Sequence, residues 1–445
     1  MSIHKVLCLT TIRYLQAGMS DVPQTIEAVW KLESTRLIAA IARVTHDIGI
    51  AEELAQDALV TALERWPHEG IPENPAAWLM TAAKRRAIDS LRRRQMLVQK
   101  HEELTRELEF QQQRLADAMD QSLDQVIDDD ILRLIFTTCH PALAVEGRIA
   151  LTLRLICGLT TAEIARAFLV SDKTMGQRIS RAKKTLSEAH VPFETPHGAD
   201  LHRRVQTVLS VVYLIFNEGY TATSGDQWMR ASLCNDALRL GRLLAQLLPD
   251  EPEVHALLAL MELQSSRTTA RIGPNGEAVL LRDQDRSVWD HPQMQRGLAA
   301  LELAQQLGAP GHYALQAAIA ACHMRAPTAA DTDWHQIVLL YDALLQMTPS
   351  PIVALNRAVA VGLAHGPAAG LPALDSIAAD PALAAYHLLP SVRADFLTKL
   401  GRLDEAREEI RRAITLTQNL REQQLLKERL HQIETTPAPA RQPPL

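Results

Sequence analysis

The sequence is poor in the patterns that build sheets. Val/Ile/Thr alternation at a period of two is almost absent, which excludes a fold carried by strands. Aromatic residues make up only 4% of the chain, so packing must rest on aliphatic side chains. Five cysteines (Cys8, Cys139, Cys157, Cys234, Cys322) lie far apart with no C-x-x-C pair. That argues against a zinc ribbon or a disulfide framework and fits a reducing cytoplasm. Cys139 and His140 are neighbours, but no second ligand pair accompanies them, so no metal is expected. No run approaches the ~18 consecutive apolar residues of a membrane helix, and no membrane role is expected. The stretch Val6-Leu7-Cys8-Leu9 is broken by Arg13 and is too short for the core of a signal peptide. The G-x-x-x-x-G-K, G-x-S-x-G and H-E-x-x-H patterns are missing and the histidines are scattered, so neither catalysis nor a cofactor is expected. A formal net charge of −6 excludes contact with polyanions through overall basicity and leaves only local patches.

What remains is a chain rich in Ala and Leu, 47% hydrophobic, whose residues favour helices. An all-α protein follows. Its 445 residues exceed one hydrophobic core, and roughly two to four domains are expected.

Residues 1–21 read as a disordered lead or a mis-assigned start, with Met19 standing just before Ser20-Asp21-Val22-Pro23. Residues 24–66 read as two helices broken near His46-Asp47-Ile48-Gly49. The second carries Ile50, Leu54, Ala58, Leu59, Ala62, Leu63 and Trp66 as an apolar stripe, with Glu53, Gln56, Asp57 and Glu64 on its other face. A breaker-rich loop spans 67–75. The next helix is capped by Asn74, with Pro75 at its first position. It ends with Lys84, Arg85, Arg86, Arg92, Arg93 and Arg94, opposed only by Asp89. Such a run is either a solvated helix end or a contact for polyanions. Residues 95–130 turn polar and then acidic through Asp117, Asp120, Asp124, Asp128, Asp129 and Asp130, and read as a linker with some helix in it.

A compact unit is expected from Ile131 to residue 190. Thr160 and Glu163 have the spacing of a capping box before a short helix. Ser171 can cap a longer one, in which Met175, Ile179, Ala182 and Leu186 form a buried stripe. The exposed face then shows Lys173, Gln177, Arg181 and Lys184, with Thr174 and Arg178 beside it, and 173–184 holds five cations and no acid. These are the proportions of a helix-turn-helix, whose second helix carries long donors into a DNA groove. Residues 191–290 read as a helical extension, 291–434 as helical repeats, and 435–445 as a Pro-rich disordered tail. Ala394 through Ala413 resembles one tetratricopeptide (TPR) unit, and Gly366 precedes Gly401 by 35 positions, near the TPR period of about 34.

In order, these pieces resemble the extracytoplasmic-function (ECF) sigma factors, and more closely the group of them with a TPR-like C-terminal extension. The resemblance is carried by Ala51-Glu52-Glu53-Leu54-Ala55-Gln56-Asp57-Ala58-Leu59, by Asn74-Pro75-Ala76-Ala77-Trp78-Leu79-Met80 through Arg85-Arg86-Ala87-Ile88-Asp89, and by Leu159-Thr160-Thr161-Ala162-Glu163-Ile164-Ala165 through Leu186. Phe216-Asn217-Glu218-Gly219-Tyr220 and Asp283-Gln284-Asp285-Arg286-Ser287 are similar to motifs of the extension.

The resemblance implies sigma domain 2 over 22–94, an acidic linker over 95–130 and sigma domain 4 over 131–190. It implies core RNA polymerase as a partner, through its β′ clamp and β flap, and promoter DNA. Glu53, Gln56 and Asp57 would meet the clamp. Asn74 and Trp78 would lie at the minus-ten element, where a flipped base needs a stacking surface. Lys84, Arg85, Arg86, Arg92 and Arg93 would hold the DNA backbone. Lys173, Thr174, Gln177, Arg178, Arg181 and Lys184 would read the minus-35 element. About 240 residues beyond domain 4 imply control in cis, with a protein or ligand partner for the TPR-like domain, in a cytoplasmic protein that joins the nucleoid when bound to polymerase. A helix-turn-helix regulator with a TPR sensor or interaction domain is the other reading. It leaves 50–94 and the acidic linker without a role.

Overall fold

The structure, a computed structural model, describes residues 22–98, 123–168, 170–220, 230–273, 279–417 and 420–435. Among these are eighteen α-helices and no strand. The expectations for the lead, for most of the linker, for the tail beyond residue 435 and for the side chains of Arg92 and Arg93 lie outside the described residues. The chain divides into two compact units, Met1–Val211 and Val212–Leu445.

The first unit begins with three helices, α1 (Val22–Thr45), α2 (Ile48–Glu69) and α3 (Pro75–Val98). The break between α1 and α2 falls where the sequence predicts it. His46 takes a left-handed φ of 52°, and Asp47 caps α2 by accepting from the N–H groups of Gly49 (2.8 Å) and Ile50 (3.0 Å). Ala51, Leu54, Ala55, Ala58, Ala62 and Trp66 form the buried stripe of α2. Leu63 does not belong to it: with Val60 it is about half exposed (45% and 50%), because the buried rows at 51/55/58/62 leave 60 and 63 on the outer face of a 3.6-residue helix. The expected loop over 67–75 is also shorter. Pro67 sits inside the last turn of α2, which ends at Gly70 (φ 86°) with the Gly70 N–H donating to the Trp66 carbonyl. Only residues 70–74 remain as loop, and Asn74 Oδ1 then accepts from the Ala77 N–H at 3.1 Å to start α3.

Helix α4 (Leu123–Thr138) starts ahead of Ile131, so the acidic residues Asp124 and Asp128 to Asp130 lie in the helical part of the segment read as a linker. Asp130 is almost fully buried and paired with Arg43 of α1 (3.4 Å) and with Arg133 (2.8 Å). Helices α5 (Val145–Leu155), α6 (Thr161–Ala167) and α7 (Asp172–Glu188) follow. Phe136, Leu134, Ile135, Leu151, Leu153 and Leu155 supply their shared core. The unit continues past residue 190 into α8 (Gly198–Tyr220). Arg204 of that helix donates to the Phe136 carbonyl at 2.7 Å, its guanidinium 5.9 Å from the Phe136 ring.

The second unit holds the end of α8, then α9 (Ala231–Leu247), α10 (Pro252–Ser265), α11 (His291–Leu307), α12 (His312–Arg325), α13 (Trp334–Met347), α14 (Pro351–His365), α15 (Pro367–Asp375), α16 (Leu388–Lys399), α17 (Leu403–Leu416) and α18 (Leu420–Thr435). α10 is its axis: Val254, Ala256, Leu257, Ala259, Leu260, Met261 and Leu263 are all buried, with α9, α11 and α12 packed around them. Gly366 and Gly401 both close helices at positive φ (90° and 76°), a conformation that costs glycine nothing. Between them the Phe396 ring fills a notch left by Gly362 and Gly370, where a Cβ atom would stand 2.1 Å and 2.4 Å from ring carbons.

The polar motifs of the extension are used inside this unit. Glu218 pairs with Arg230, and the Tyr220 carbonyl accepts from Arg271 at 2.6 Å. Asp285 caps a short turn at Ser287, and Asp290 caps α11 through the Gln293 N–H at 2.8 Å.

Candidate nucleic-acid interface

Helices α6 and α7 are set by their caps. The Thr160 hydroxyl accepts from the Glu163 N–H at 3.2 Å, and the Glu163 carboxylate accepts from the Thr160 N–H at 2.7 Å. The Thr160 N–H and the Thr160 hydroxyl, both donating to the Glu163 carboxylate, hold that carboxyl below its ordinary value. Ser171 Oγ accepts from the Thr174 N–H at 3.1 Å at the start of α7. Met175, Ile179, Ala182 and Leu186 are the buried residues of α7. Lys173, Gln177, Arg181 and Lys184 are consequently exposed, with Thr174 and Arg178 half-buried at the edge of the same face. Lys184 reaches Glu188 at 3.5 Å, while Lys173, Arg178 and Arg181 pair with no carboxylate among the described residues. An acid-free row of long donors at the start of a capped helix suits insertion beside base edges and phosphates.

The fifth cation of that helix points elsewhere. Lys183 is turned inward and forms an ion pair with Glu52 of α2. Glu52, only 3% exposed, also accepts from Arg154 Nε of α5 at 2.7 Å and from Gln56 Nε2 at 2.8 Å. Two further bonds tie the same bodies together: Thr35 Oγ donates to the Ile156 carbonyl, and Ser187 Oγ donates to Asp47, both at 3.0 Å. One buried carboxylate thus clasps α2, α5 and α7. Sequence reasoning missed Glu52 because in a run of two glutamates only helical phase separates the buried one from Glu53, which is exposed.

The residues expected at the polymerase and minus-ten surfaces are only partly free. Glu53 and Asp57 are exposed on α2, but Gln56 is bonded to Glu52 and half-buried. Arg86, expected on DNA, lies 3.2 Å from Asp57 and donates to Thr61 Oγ at 2.6 Å, so two residues expected to meet different partners meet each other. Arg85 is exposed and Lys84 half-buried. Trp78 is half-buried and stands edge-on to the buried Trp66 at 5.4 Å and 71°. It therefore borders the core and still offers part of its ring outside. Among the described residues no cluster of His, Cys, Asp and Glu could hold a metal ion. Cys139 is buried against Thr152 and its thiol is pushed up by burial. No described helix is long and apolar enough to cross a membrane.

Comparison with known proteins matches three family models. Sigma-70 region 2 matches residues 32–96, Sigma-70 region 4 matches 133–186, and a family of unknown function, DUF6596, matches 204–305. The uncharacterized protein R00370 of Rhizobium meliloti (strain 1021) is 43% identical over 402 residues, covering 90% of this chain and 94% of that protein. The ECF RNA polymerase sigma factors SigK of Mycobacterium ulcerans (strain Agy99) and of Mycobacterium tuberculosis (strain H37Rv) are each 30% identical over 156 residues. That span is 34% of this chain and 78% of each relative. No solved structure matches.

Proposed function

As the chain belongs to the extracytoplasmic-function sigma factors of RNA polymerase, we propose that α7 reads the minus-35 element while α2 and α3 serve polymerase and the minus-ten element. The observation that carries this reading is the outer face of α7, where Lys173, Thr174, Gln177, Arg178, Arg181 and Lys184 gather around a buried stripe with no acid among them. On α2, the exposed row of Glu53, Asp57, Val60 and Leu63 supplies charge and apolar area together, a combination suited to a protein surface. That face meets the β′ clamp, and the helix-turn-helix unit meets the β flap. Lys84, Arg85, Arg92 and Arg93 grip phosphates, and Arg86 joins them when it leaves Asp57. Asn74 and Trp78 border the melted base.

The clasp at Glu52 adds a state to this reading. Promoter elements named for positions 10 and 35 are separated by roughly 80 Å of duplex at about 34 Å per turn. Thr35 and Ile156, by contrast, are within hydrogen-bond distance. The described form of the first unit is therefore a closed one, and it opens to span a promoter. The second unit acts in cis on that step and holds the site for a further partner. In the cell the protein works in the cytoplasm and joins the nucleoid with polymerase.

The test is run-off transcription with core polymerase, the full chain and a genomic promoter library, without another sigma factor. Specific transcripts are expected. Their absence, with no crosslink from α7 to DNA upstream of the start site, overturns the reading.

A further inference from the structure

Inside the second unit, α8, α10, α12, α13 and α14 surround a cavity of about 450 Å³, within the range of small-molecule sites. One wall is saturated with its own bonds. Tyr213 donates to Gln316 Oε1 at 3.0 Å, Gln316 Nε2 meets His312 Nε2 at 2.8 Å, and His312 Nδ1 stands 3.4 Å from Thr348 Oγ. The other polar groups lining the cavity are not. Arg267, Tyr341, Gln264 and Asn356 make no side-chain hydrogen bond among the described residues, and Arg267 Nε is buried without a partner.

The charge around Arg267 is equally one-sided. Arg271 and Arg286 each stand near enough to Arg267 for its charge to lower their own affinity for a proton, and none of the three arginines is ion-paired to a carboxylate among the described residues. Arg271 is 8% exposed, donates to the Tyr220 carbonyl and lies 3.6 Å over the Tyr220 ring. Arg267 faces the same ring at 5.7 Å. Arg286 donates to the carbonyls of His323 and Ala326, both at 2.6 Å; its closest acidic influence, Asp331, is spent on Thr328. His323, which also lines the cavity, is held down to about 4 by burial and by Arg267 and Arg286, so it stays neutral and adds no charge. Buried charges in folded proteins are ordinarily paired. Arg267 is the arginine that lines this cavity, its Nε is buried without a partner, and its charged neighbours Arg271 and Arg286 only add to the positive field, which leaves room for an anion.

We propose that this cavity binds a small hydroxylated organic anion, with its carboxylate or phosphate against Arg267 and its hydroxyl groups against Tyr341, Gln264 and Asn356. Arg267 supplies affinity and the amide and phenol groups select the body of the ligand. Burial pushes the Tyr341 phenol up to about 12, which keeps it a donor.

Calorimetric titration of the full chain with gluconate, glucose 6-phosphate and neutral glucose tests this. At least one of the two anions is expected to bind at one site per chain, at least about tenfold more tightly than glucose, as a charged hydrogen bond implies. Tighter binding of gluconate identifies a carboxylate site, and tighter binding of glucose 6-phosphate a phosphate site. Arg267→Gln is expected to weaken binding about tenfold or more, and Tyr341→Phe about three- to tenfold, with unchanged circular dichroism. Should Arg267→Gln fail to fold, Tyr341→Phe decides. Failure of both anions to bind, equal binding of glucose, or full affinity in Tyr341→Phe together with any folded Arg267→Gln overturns the proposal. Binding is read on the protein alone, so it is judged separately from control of transcription.

Discussion

At the scale of single residues, two buried acids govern the first unit. Glu52 is held by Arg154, Lys183 and Gln56, and removing one member of such a set strands the others out of water. Glu52→Gln is expected to destabilise the protein by about 3 kcal/mol. A double-mutant cycle with Lys183→Met should show a coupling of about 1–3 kcal/mol in urea unfolding; additive effects would separate the two residues. Asp130 behaves differently. Burial raises its carboxyl to about 6 from 3.8 against the pull of Arg43 and Arg133. Between those values the folded chain holds a proton that the unfolded chain has released. The contribution of Asp130 to stability thus falls as pH rises from about 4 to about 6, by about 3 kcal/mol, and Asp130→Asn should remove that slope in unfolding curves. Neither residue announces its role in the sequence. Both sit in acidic runs, and the partners that bury them, Arg154 and Lys183 for Glu52 and Arg43 for Asp130, lie far along the chain.

At the scale of helices, legibility was better wherever periodicity and caps agree. The buried stripe of α7 and the caps at Thr160, Ser171 and Asn74 follow from spacing alone, since each bond is made within one turn of chain. Phase and tertiary contacts account for the misses: Leu63 falls on the outer face of α2, and Lys183 turns away from its neighbours to meet Glu52. The cap of α12 was equally hidden, because Glu253 of α10 supplies it by accepting from the N–H groups of Tyr313 and Ala314. Two expectations belong to these elements. Arg178→Ala should cost about 1–3 kcal/mol of promoter binding and change the preferred bases, whereas Arg85→Ala should weaken all sequences alike and reduce the salt slope by about one. Binding measured across a randomised minus-35 library at two salt concentrations distinguishes them. Gly362→Ala should lower stability by about 1–3 kcal/mol through overpacking on Phe396, read as a fall in the melting temperature.

At the scale of the whole molecule, the order of the parts was legible and their edges were not. Helix α2, the basic helix α3 and the helix-turn-helix unit stand in the order that the family models match. The expected end of that half at residue 190 cuts off the start of α8, which holds Phe136 through Arg204 and belongs to a unit reaching Val211. A chain ended after Val211 is therefore the appropriate comparison for the second unit, and its transcript yield with core polymerase should differ from that of the full chain. Equal yields would make the second unit a passenger. The closed clasp also has a kinetic consequence. If opening precedes loading, the rate at which this sigma factor charges polymerase will level off as polymerase is raised, at a ceiling set by how often Glu52 lets go of Arg154 and Lys183.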